Sequence, residues 1–350
     1  MKIGVIGSWI FPLSKLGGYA GLEVIAWLIA KGLVEKGHEV TIFGPEGSSC
    51  AGANVVAVGP PGQWDEKMAY SKYWPELLKL DAICDHSWQK HSYSLKAEGR
   101  LPRTPILGTL HAPVNTMYQS LPPGVEKPCF VCISKDQATH FEQLFNREAR
   151  VAYNGIDLSW YQAIPGVQRS NRFLFLARFS TIKGPDLAVE AALRAGVGLD
   201  MIGDTSITQE PELFKQCTAK CDGKQIKMVG PATRAECVWY LSQAHCMLHP
   251  NQRFREPFGL APVEAQACGV PVICWNMGAM RETVIHGETG YLCKSLEDMV
   301  MNIKLLNEKS KEQLDVMRNK CKENASQFSV QNMVDGYEKL VQEAVQTGGW

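Results

Sequence analysis

The sequence has no excess of charge, no long apolar run and no leader segment. Its 350 residues include 36 lysines and arginines and 36 aspartates and glutamates, so the formal net charge is zero. Proteins that bind nucleic acid through its phosphates usually carry a basic excess. No apolar run is long enough to cross a bilayer, and Met1 leads directly into the apolar run KIGVIG, which is not a signal peptide. We therefore expect a cytoplasmic protein without a nucleic-acid partner.

Several common catalytic motifs are also missing. The sequence contains no G-x-S-x-G, no H-E-x-x-H and no G-x-x-x-x-G-K-[ST]. Its first strand is not followed by G-x-G-x-x-G, so a nicotinamide-binding domain is not expected. Twelve cysteines are present, but Cys129 with Cys132 and Cys217 with Cys221 have no second pair at zinc spacing. We expect buried thiols in a reducing compartment, and no metal site.

What the sequence does contain is a repeated alternation of short apolar runs and longer helical patterns. The first series of runs extends from residues 2–6 to 151–153, and a second series extends from 172–177 to 290–293. This alternation predicts parallel βα units, and the chain is long enough for two domains. Residues 162–171, QAIPGVQRSN, are typical of a linker.

We predict an α/β protein with two Rossmann-like domains. The first comprises residues 1–165 and the second residues 166–328, while residues 329–350 form a helix that returns to the first domain. Ligands of open parallel sheets bind beyond the carboxyl ends of the strands, so a cleft between the two sheets is the expected binding site.

Two cations follow the first strand of the second domain. Arg178 comes at the end of that strand, and Lys183 follows five residues later, just before a helix. Fixed cations at this position can hold a diphosphate and stabilise the charge that develops as it leaves, in place of a divalent metal. We expect replacement of Lys183 by alanine to affect rate far more than stability.

Two carboxylates flank a Pro-Phe-Gly turn in the stretch 255–273. Glu256 precedes the turn and is placed to accept hydrogen bonds from hydroxyls, whereas Glu264 lies in the first turns of the next helix. The start of that helix offers unpaired amides and a partial positive charge, which suit a phosphate. Hydroxyl-binding groups around an anion site suggest a nucleotide-sugar.

Other polar groups in the first domain are less specific. His111 follows a strand and is a candidate for donating a hydrogen bond or moving a proton, whereas His86, after the preceding strand, is interpreted as structural. Gly17 and Gly18 separate a strand from a helix, where they either let amides approach a diphosphate or form a flexible turn.

Taken in order, these motifs resemble those of the retaining glycosyltransferases with the two-Rossmann-domain architecture called GT-B, in particular glycosyltransferase family 4. The resemblance covers almost the whole chain. It includes LIAKGLVEKGHEVTIFGP, VAYNGIDL and FLFLARFSTIKGPDLAVEA, and it is strongest at HGETGYL and at EPFGLAPVEAQACGVPVI, which has the Glu-x7-Glu spacing of the family.

The resemblance implies roles for particular residues. Arg178 and Lys183 would bind the donor diphosphate, Glu256 would hold hydroxyls of the transferred sugar, and Glu264 would bind the ribose. The backbone amides beside the sugar and phosphate would come from Phe258, Gly259 and Leu260.

On the amino-terminal side, the resemblance places His111 by the donor sugar, and Gly17 and Gly18 facing the diphosphate and the acceptor. It also implies transfer with retention and without a catalytic metal or other cofactor, with the leaving phosphate taking the proton of the acceptor.

The expected function is transfer of a hexosyl group from a UDP-, GDP- or ADP-sugar to a hydroxyl. Two alternatives stay open, a nucleotide-sugar epimerase of the same architecture and a catalytically silent nucleotide-sugar-binding protein. One departure from the family is Ala279 in MGAMRE, where a second glycine is usual. The acceptor is not specified, because Trp9, Phe11 and Trp64 suit a sugar, lipid or small-molecule site, a peripheral membrane contact, or simple packing.

Overall fold

The structure is a computed structural model that describes residues 1–15, 21–63, 65–114, 122–125, 127–205 and 210–350. The chain divides into two compact units. The first unit comprises Met1–Gly155 together with Val330–Trp350, and the second comprises Ile156–Ser329. The segment 162–171, interpreted above as a linker, lies within the second unit. Gly17 and Gly18 lie outside the described residues.

The first unit is built on a seven-stranded sheet in which all strand pairs are parallel. Its strands are β1 Lys2–Ile6, β2 Glu39–Gly44, β3 Asn54–Ala57, β4 Ala82–Asp85, β5 Ile106–Leu110, β6 Cys129–Cys132 and β7 Ala149–Val151, in the order β3-β2-β1-β4-β5-β6-β7. The helices between them are α1 Gly21–Glu35, α2 Lys67–Leu77, α3 His91–Ala97 and α4 Lys135–Phe145. Every residue of β4, β5 and β6 is buried, as expected of parallel strands covered on both faces.

The last helix of the chain, Val330–Thr347, belongs to this first unit and is called the terminal helix. It packs closely on α1, because a Cβ at Gly32 would lie only 2.3 Å from a methyl group of Val334. Glycine at this position therefore allows the two helix backbones to approach. Farther along the terminal helix, the hydroxyl groups of Tyr337 and Thr109 are 3.0 Å apart.

The second unit is a six-stranded parallel sheet. Its strands are β8 Phe173–Leu176, β9 Leu199–Ile202, β10 Ile226–Gly230, β11 Cys246–His249, β12 Val272–Trp275 and β13 Gly290–Cys293, in the order β10-β9-β8-β11-β12-β13. The helices are α5 Pro185–Ala195, α6 Pro211–Ala219, α7 Arg234–Gln243, α8 Leu260–Ala267, α9 Met280–Thr283, α10 Leu296–Asn307 and α11 Lys311–Ser326, and the terminal helix is α12. The core has fully buried aromatic rings from Phe173, Phe175 and Phe179.

The strand order fixes where ligands bind in each sheet. The order reverses between β1 and β4 in the first unit and between β8 and β11 in the second. At such a point the connecting helices leave to opposite faces, so a crevice opens beyond the carboxyl ends of the two strands. The predicted parallel, Rossmann-like sheets are thus confirmed.

Among the described residues, no helix is long and apolar enough to cross a membrane.

Candidate functional site

The loop between β8 and α5 carries the two predicted cations. Arg178 follows β8 by two residues and is partly buried. The loop then turns sharply, with the Lys183 amide donating to the Ser180 carbonyl over 2.9 Å. Gly184 has φ +66°, and a Cβ there would lie 2.2 Å from the carbonyl oxygen of Pro250. Glycine is therefore required, because this turn lies directly against the loop that follows β11.

Glu256 lies in that second loop and forms an ion pair with Lys183. The Nζ of Lys183 is 2.5 Å from Oε2 of Glu256, and the two side chains are only 17% and 9% exposed. Nε2 of His249, the last residue of β11, is 3.5 Å from the same oxygen. That distance is longer than a good hydrogen bond, so His249 acts on the carboxylate mainly through its dipole or charge.

These contacts set the charge of Glu256. Burial by itself raises the pKa of the carboxyl group, but Lys183 and His249 more than offset burial and lower the pKa to about 2. Glu256 is therefore ionised at neutral pH. An ionised carboxylate accepts hydrogen bonds and has no proton to donate.

The backbone of Glu256 is held by the segment that contains Gly278 and Ala279. Gly278 has φ +62°, and a Cβ there would lie 2.5 Å from the carbonyl oxygen of Glu256. Ala279 has an ordinary helical backbone and donates its amide to that same carbonyl over 2.9 Å. Glycine is thus required at Gly278, whereas a Cβ is compatible with the local backbone at Ala279.

Helix α8 begins directly after the Pro-Phe-Gly turn, as predicted. Gly259 precedes the helix with φ +88°, and no side chain caps the first turn. Phe258 is buried with 1% exposure, while Leu260 is partly buried. Gly259, at the N-cap, has no side chain that could accept from the first amides of α8, and a helix start of this kind suits an anion.

Glu264 lies one turn farther along α8 and has a partner that the sequence did not reveal. The hydroxyl of Tyr161 donates to its Oε1 over 2.8 Å. Burial raises the pKa of Glu264, whereas Tyr161 and the Arg234 guanidinium oppose that rise. Arg234 in turn lies 4.1 Å from the ring centre of Trp160. Glu264 thus lies in a region with both aromatic side chains and a cation.

The two loops that carry Lys183 and Glu256 are joined by further contacts. Arg253 forms a two-pronged ion pair with Asp186, with both N–O distances at 3.1 Å. The Nζ of Lys183 also lies 5.1 Å from the ring centre of Phe254. Two buried polar atoms in these loops, Oγ of Ser180 and Oδ1 of Asn251, have no hydrogen-bond partner among the described residues. Such atoms are rare in native proteins and often mark binding sites.

In the first unit, His111 is paired with the histidine that the sequence left aside. Because β4 and β5 are neighbours, the residues that follow them meet, and Nδ1 of His86 is 2.8 Å from Nε2 of His111. Burial, with the charge of Lys90, lowers the pKa of His86 to about 3, and burial lowers that of His111 well below its usual range. Both rings are therefore neutral at neutral pH.

The loop that carries His86 is fixed by the carboxylate of Asp85. This fully buried group accepts hydrogen bonds from Tyr70, Ser87 and Ser92. Of the aromatic residues suggested for an acceptor site, Trp9 instead packs in the core, with its ring N–H donating to the Val58 carbonyl. Trp64 lies outside the described residues.

The fold is that of the GT-B glycosyltransferases. HepE from Anabaena, solved with UDP and glucose, superposes with a TM-score of 0.76 at 20% identity, over 98% of this chain and 99% of that one. A sucrose-phosphate synthase from Thermosynechococcus elongatus gives a TM-score of 0.80 at 16% identity, over 99% of this chain and 100% of the other.

The sequence comparisons name the family. Residues 19–160 match Glycosyltransferase Family 4, and residues 162–328 match Glycosyl transferases group 1. Together the two matches cover most of the chain, which belongs to the glycosyltransferases that these two models describe. An uncharacterized glycosyltransferase of Methanocaldococcus jannaschii is 26% identical over 61% of this chain and 59% of its own length. A D-inositol 3-phosphate glycosyltransferase of Nocardiopsis dassonvillei is 22% identical over 84% of this chain and 82% of its own.

Proposed function

We propose that the protein is a retaining hexosyltransferase that uses a nucleotide-diphosphate sugar and needs no metal. The observation that carries the proposal is the buried pair of Lys183 and Glu256 at the point where the second sheet reverses its strand order. A cation and an ionised carboxylate at this crevice match a donor with a diphosphate next to a sugar.

Each charged group has a defined task in the proposed reaction. Arg178 and Lys183 bind the diphosphate and stabilise its charge as the bond to the sugar breaks. Glu256, ionised at neutral pH, accepts hydrogen bonds from the sugar hydroxyls. With its pKa lowered to about 2, Glu256 is a weak base. The leaving phosphate oxygen itself therefore takes the proton of the acceptor hydroxyl, and the new bond forms on the face that the phosphate leaves.

The nucleotide would lie along α8. The amides of Phe258, Gly259 and Leu260 would approach the phosphate and sugar, and Glu264 would accept hydrogen bonds from the ribose hydroxyls. His111, held by His86, would donate to or accept from the donor sugar, because a neutral imidazole can do either. HepE was solved with UDP and with UDP-glucose, which supports a nucleotide-sugar donor.

The test is a thermal-shift series with UDP, GDP, ADP and their sugars, followed by product analysis with the donor that stabilises most. We expect stabilisation by one nucleotide series and a product whose anomeric proton shows the configuration of the donor. An inverted product would contradict retention. Conversion of the donor to another nucleotide-sugar or to a free epimer, without transfer, would favour an epimerase. Tight donor binding with neither reaction across an acceptor panel would favour a silent binding protein.

A further inference from the structure

His249 is a buried, ionisable group beside Glu256 that the proposed reaction has not used. It is 2% exposed, and it ends β11. Neither of its ring nitrogens has a hydrogen-bond partner among the described residues, and its only charged contact there is Oε2 of Glu256. A buried imidazole without partners is costly, so its place beside a functional carboxylate calls for a physical reason.

The reason is that Lys183 has two competing partners, Glu256 and the donor diphosphate of the proposed function. In this structure its ammonium group neutralises Glu256 at 2.5 Å. In the proposed function the same ammonium group binds the donor diphosphate. Both contacts cannot be kept at full strength, since a cation that turns toward a diphosphate moves away from the carboxylate. Glu256 would then be a buried anion without its counter-ion, which is strongly unfavourable.

The charged groups that face His249 are few. They are Glu256, on the loop that follows β11, and Lys183, from the loop that follows β8. In this structure burial lowers the pKa of His249, Glu256 raises it and Lys183 lowers it again. If Lys183 turns to the diphosphate, the one cation that opposes protonation is neutralised, and the carboxylate and diphosphate both favour it.

We propose that His249 is the positioning residue of this site, taking up a proton and holding Glu256 in place when Lys183 turns to the donor diphosphate. The proposal rests on the proposed function, because it needs a diphosphate at Lys183. It predicts that donor binding is coupled to proton uptake at His249. Protonated His249 then replaces Lys183 as the cation beside Glu256, without any movement of β11.

The sign of the pH dependence follows from this coupling. The pKa of His249 is higher in the donor complex than in the free protein. Proton uptake therefore adds to the affinity for the donor. This added affinity is complete below the pKa that His249 has in the free protein, and it is lost as pH rises through the pKa of His249 in the complex. Affinity should fall by up to about tenfold per pH unit in that range.

The experiment is calorimetric titration of the full chain with UDP-glucose, GDP-mannose and ADP-glucose near neutral pH, in two buffers of different ionisation enthalpy. Nucleotide-sugars are suitable probes because both phosphates are diesters and do not titrate near neutrality. The wild-type protein should take up as much as about one proton for each donor bound. His249→Gln should bind with little or no uptake and with an affinity that no longer changes with pH.

A matched control is available immediately before the same strand. His245 is also buried, and its Nε2 also has no partner among the described residues, but the charged groups acting on it are Arg318 and Arg169. His245→Gln should take up the same number of protons as the wild-type protein. Because the wild-type titration needs no variant, it tests the proposal even if His249→Gln folds poorly.

The outcomes separate this proposal from the proposed function. Donor binding by the wild-type protein without proton uptake would overturn the role of His249 and leave the nucleotide-sugar site intact. Equal uptake by His249→Gln would also overturn it, since Glu256 would then be the group that takes the proton. Failure of all three nucleotide-sugars to bind would overturn the donor site and the role of His249 together.

Discussion

Removing one partner of the buried ion pair should destabilise the second unit, and the size of the effect can be worked from the structure. The pKa of Glu256 falls from 4.5 to about 2 on folding. A difference of this size corresponds to roughly 3 kcal/mol of stabilisation of the ionised form. Lys183→Met should therefore lower the free energy of unfolding of the second unit by about 3 kcal/mol at neutral pH, because Glu256 stays buried and loses its ammonium partner.

A double-mutant cycle isolates the pair. Lys183→Met, Glu256→Gln and the double variant are compared by hydrogen exchange of amides in β8, β11 and β12, which reports on the second unit alone. We expect a coupling energy of about 2 to 3 kcal/mol. Because the pKa of Glu256 is lowered on folding, this coupling should be complete above pH 4.5 and disappear as pH falls toward 2.

A second ion pair in the same unit provides the control. Lys320 and Glu288 are 2.6 Å apart, but their side chains are 43% and 50% exposed. The same cycle there should give less than about 1 kcal/mol. A coupling energy below about 0.5 kcal/mol for Lys183 and Glu256 would refute the reasoning, since the pair would then behave as a surface contact. The buried pair thus changes the expectation from sequence that loss of Lys183 affects rate far more than stability.

Three further predictions follow from the loops around the site. Gly278→Ala should destabilise the protein by about 2 to 4 kcal/mol, because the left-handed backbone and the Glu256 carbonyl leave no room for a Cβ. Ala279→Gly should cost less than about 1 kcal/mol. Equal losses of stability for the two variants in urea unfolding would contradict this explanation. Glu264→Gln should weaken binding of the matching nucleoside diphosphate by about tenfold, measured by calorimetry, and leave the preference among donor sugars unchanged; a changed sugar preference would move Glu264 to the sugar side. Transfer should continue in EDTA, and complete loss of product that Mg²⁺ restores would reject a metal-independent reaction.

Much of the fold could be predicted from local pattern. Runs such as FLFL and VICW are apolar at every position, which is typical of strands buried on both faces, and both form strands of the second sheet. The helices at residues 135–145 and 234–243 begin after Ser134 and Thr233, whose side chains accept from the first-turn amides. The helices α3 and α9 have only seven and four residues, which is too few to give a recognisable periodicity.

The site was only partly predictable because its contacts join distant segments. Arg178, Lys183, Glu256 and Glu264 were selected from sequence, but the pairing of Lys183 with Glu256 depends on β8 lying next to β11, which is not its neighbour in sequence. Tyr161 reaches Glu264 across more than a hundred residues, with no local signal. His249 was hidden as the last residue of an apolar run. The pairing of His86 with His111 could have been predicted from sequence. Each histidine follows one of two successive strands, and residues in such positions meet when the two strands are adjacent.

The return of the terminal helix to the first unit has a consequence for how the chain is made. The second unit is inserted between two parts of the first, so a growing chain completes the second unit before the first. Until Val334 reaches Gly32, helix α1 lacks its packing partner, and the ring of Tyr337, 5.5 Å from that of His86, is absent from the histidine pair. Residues 1–155, although synthesised before the second unit, therefore depend for their final structure on a helix that follows that unit in the chain.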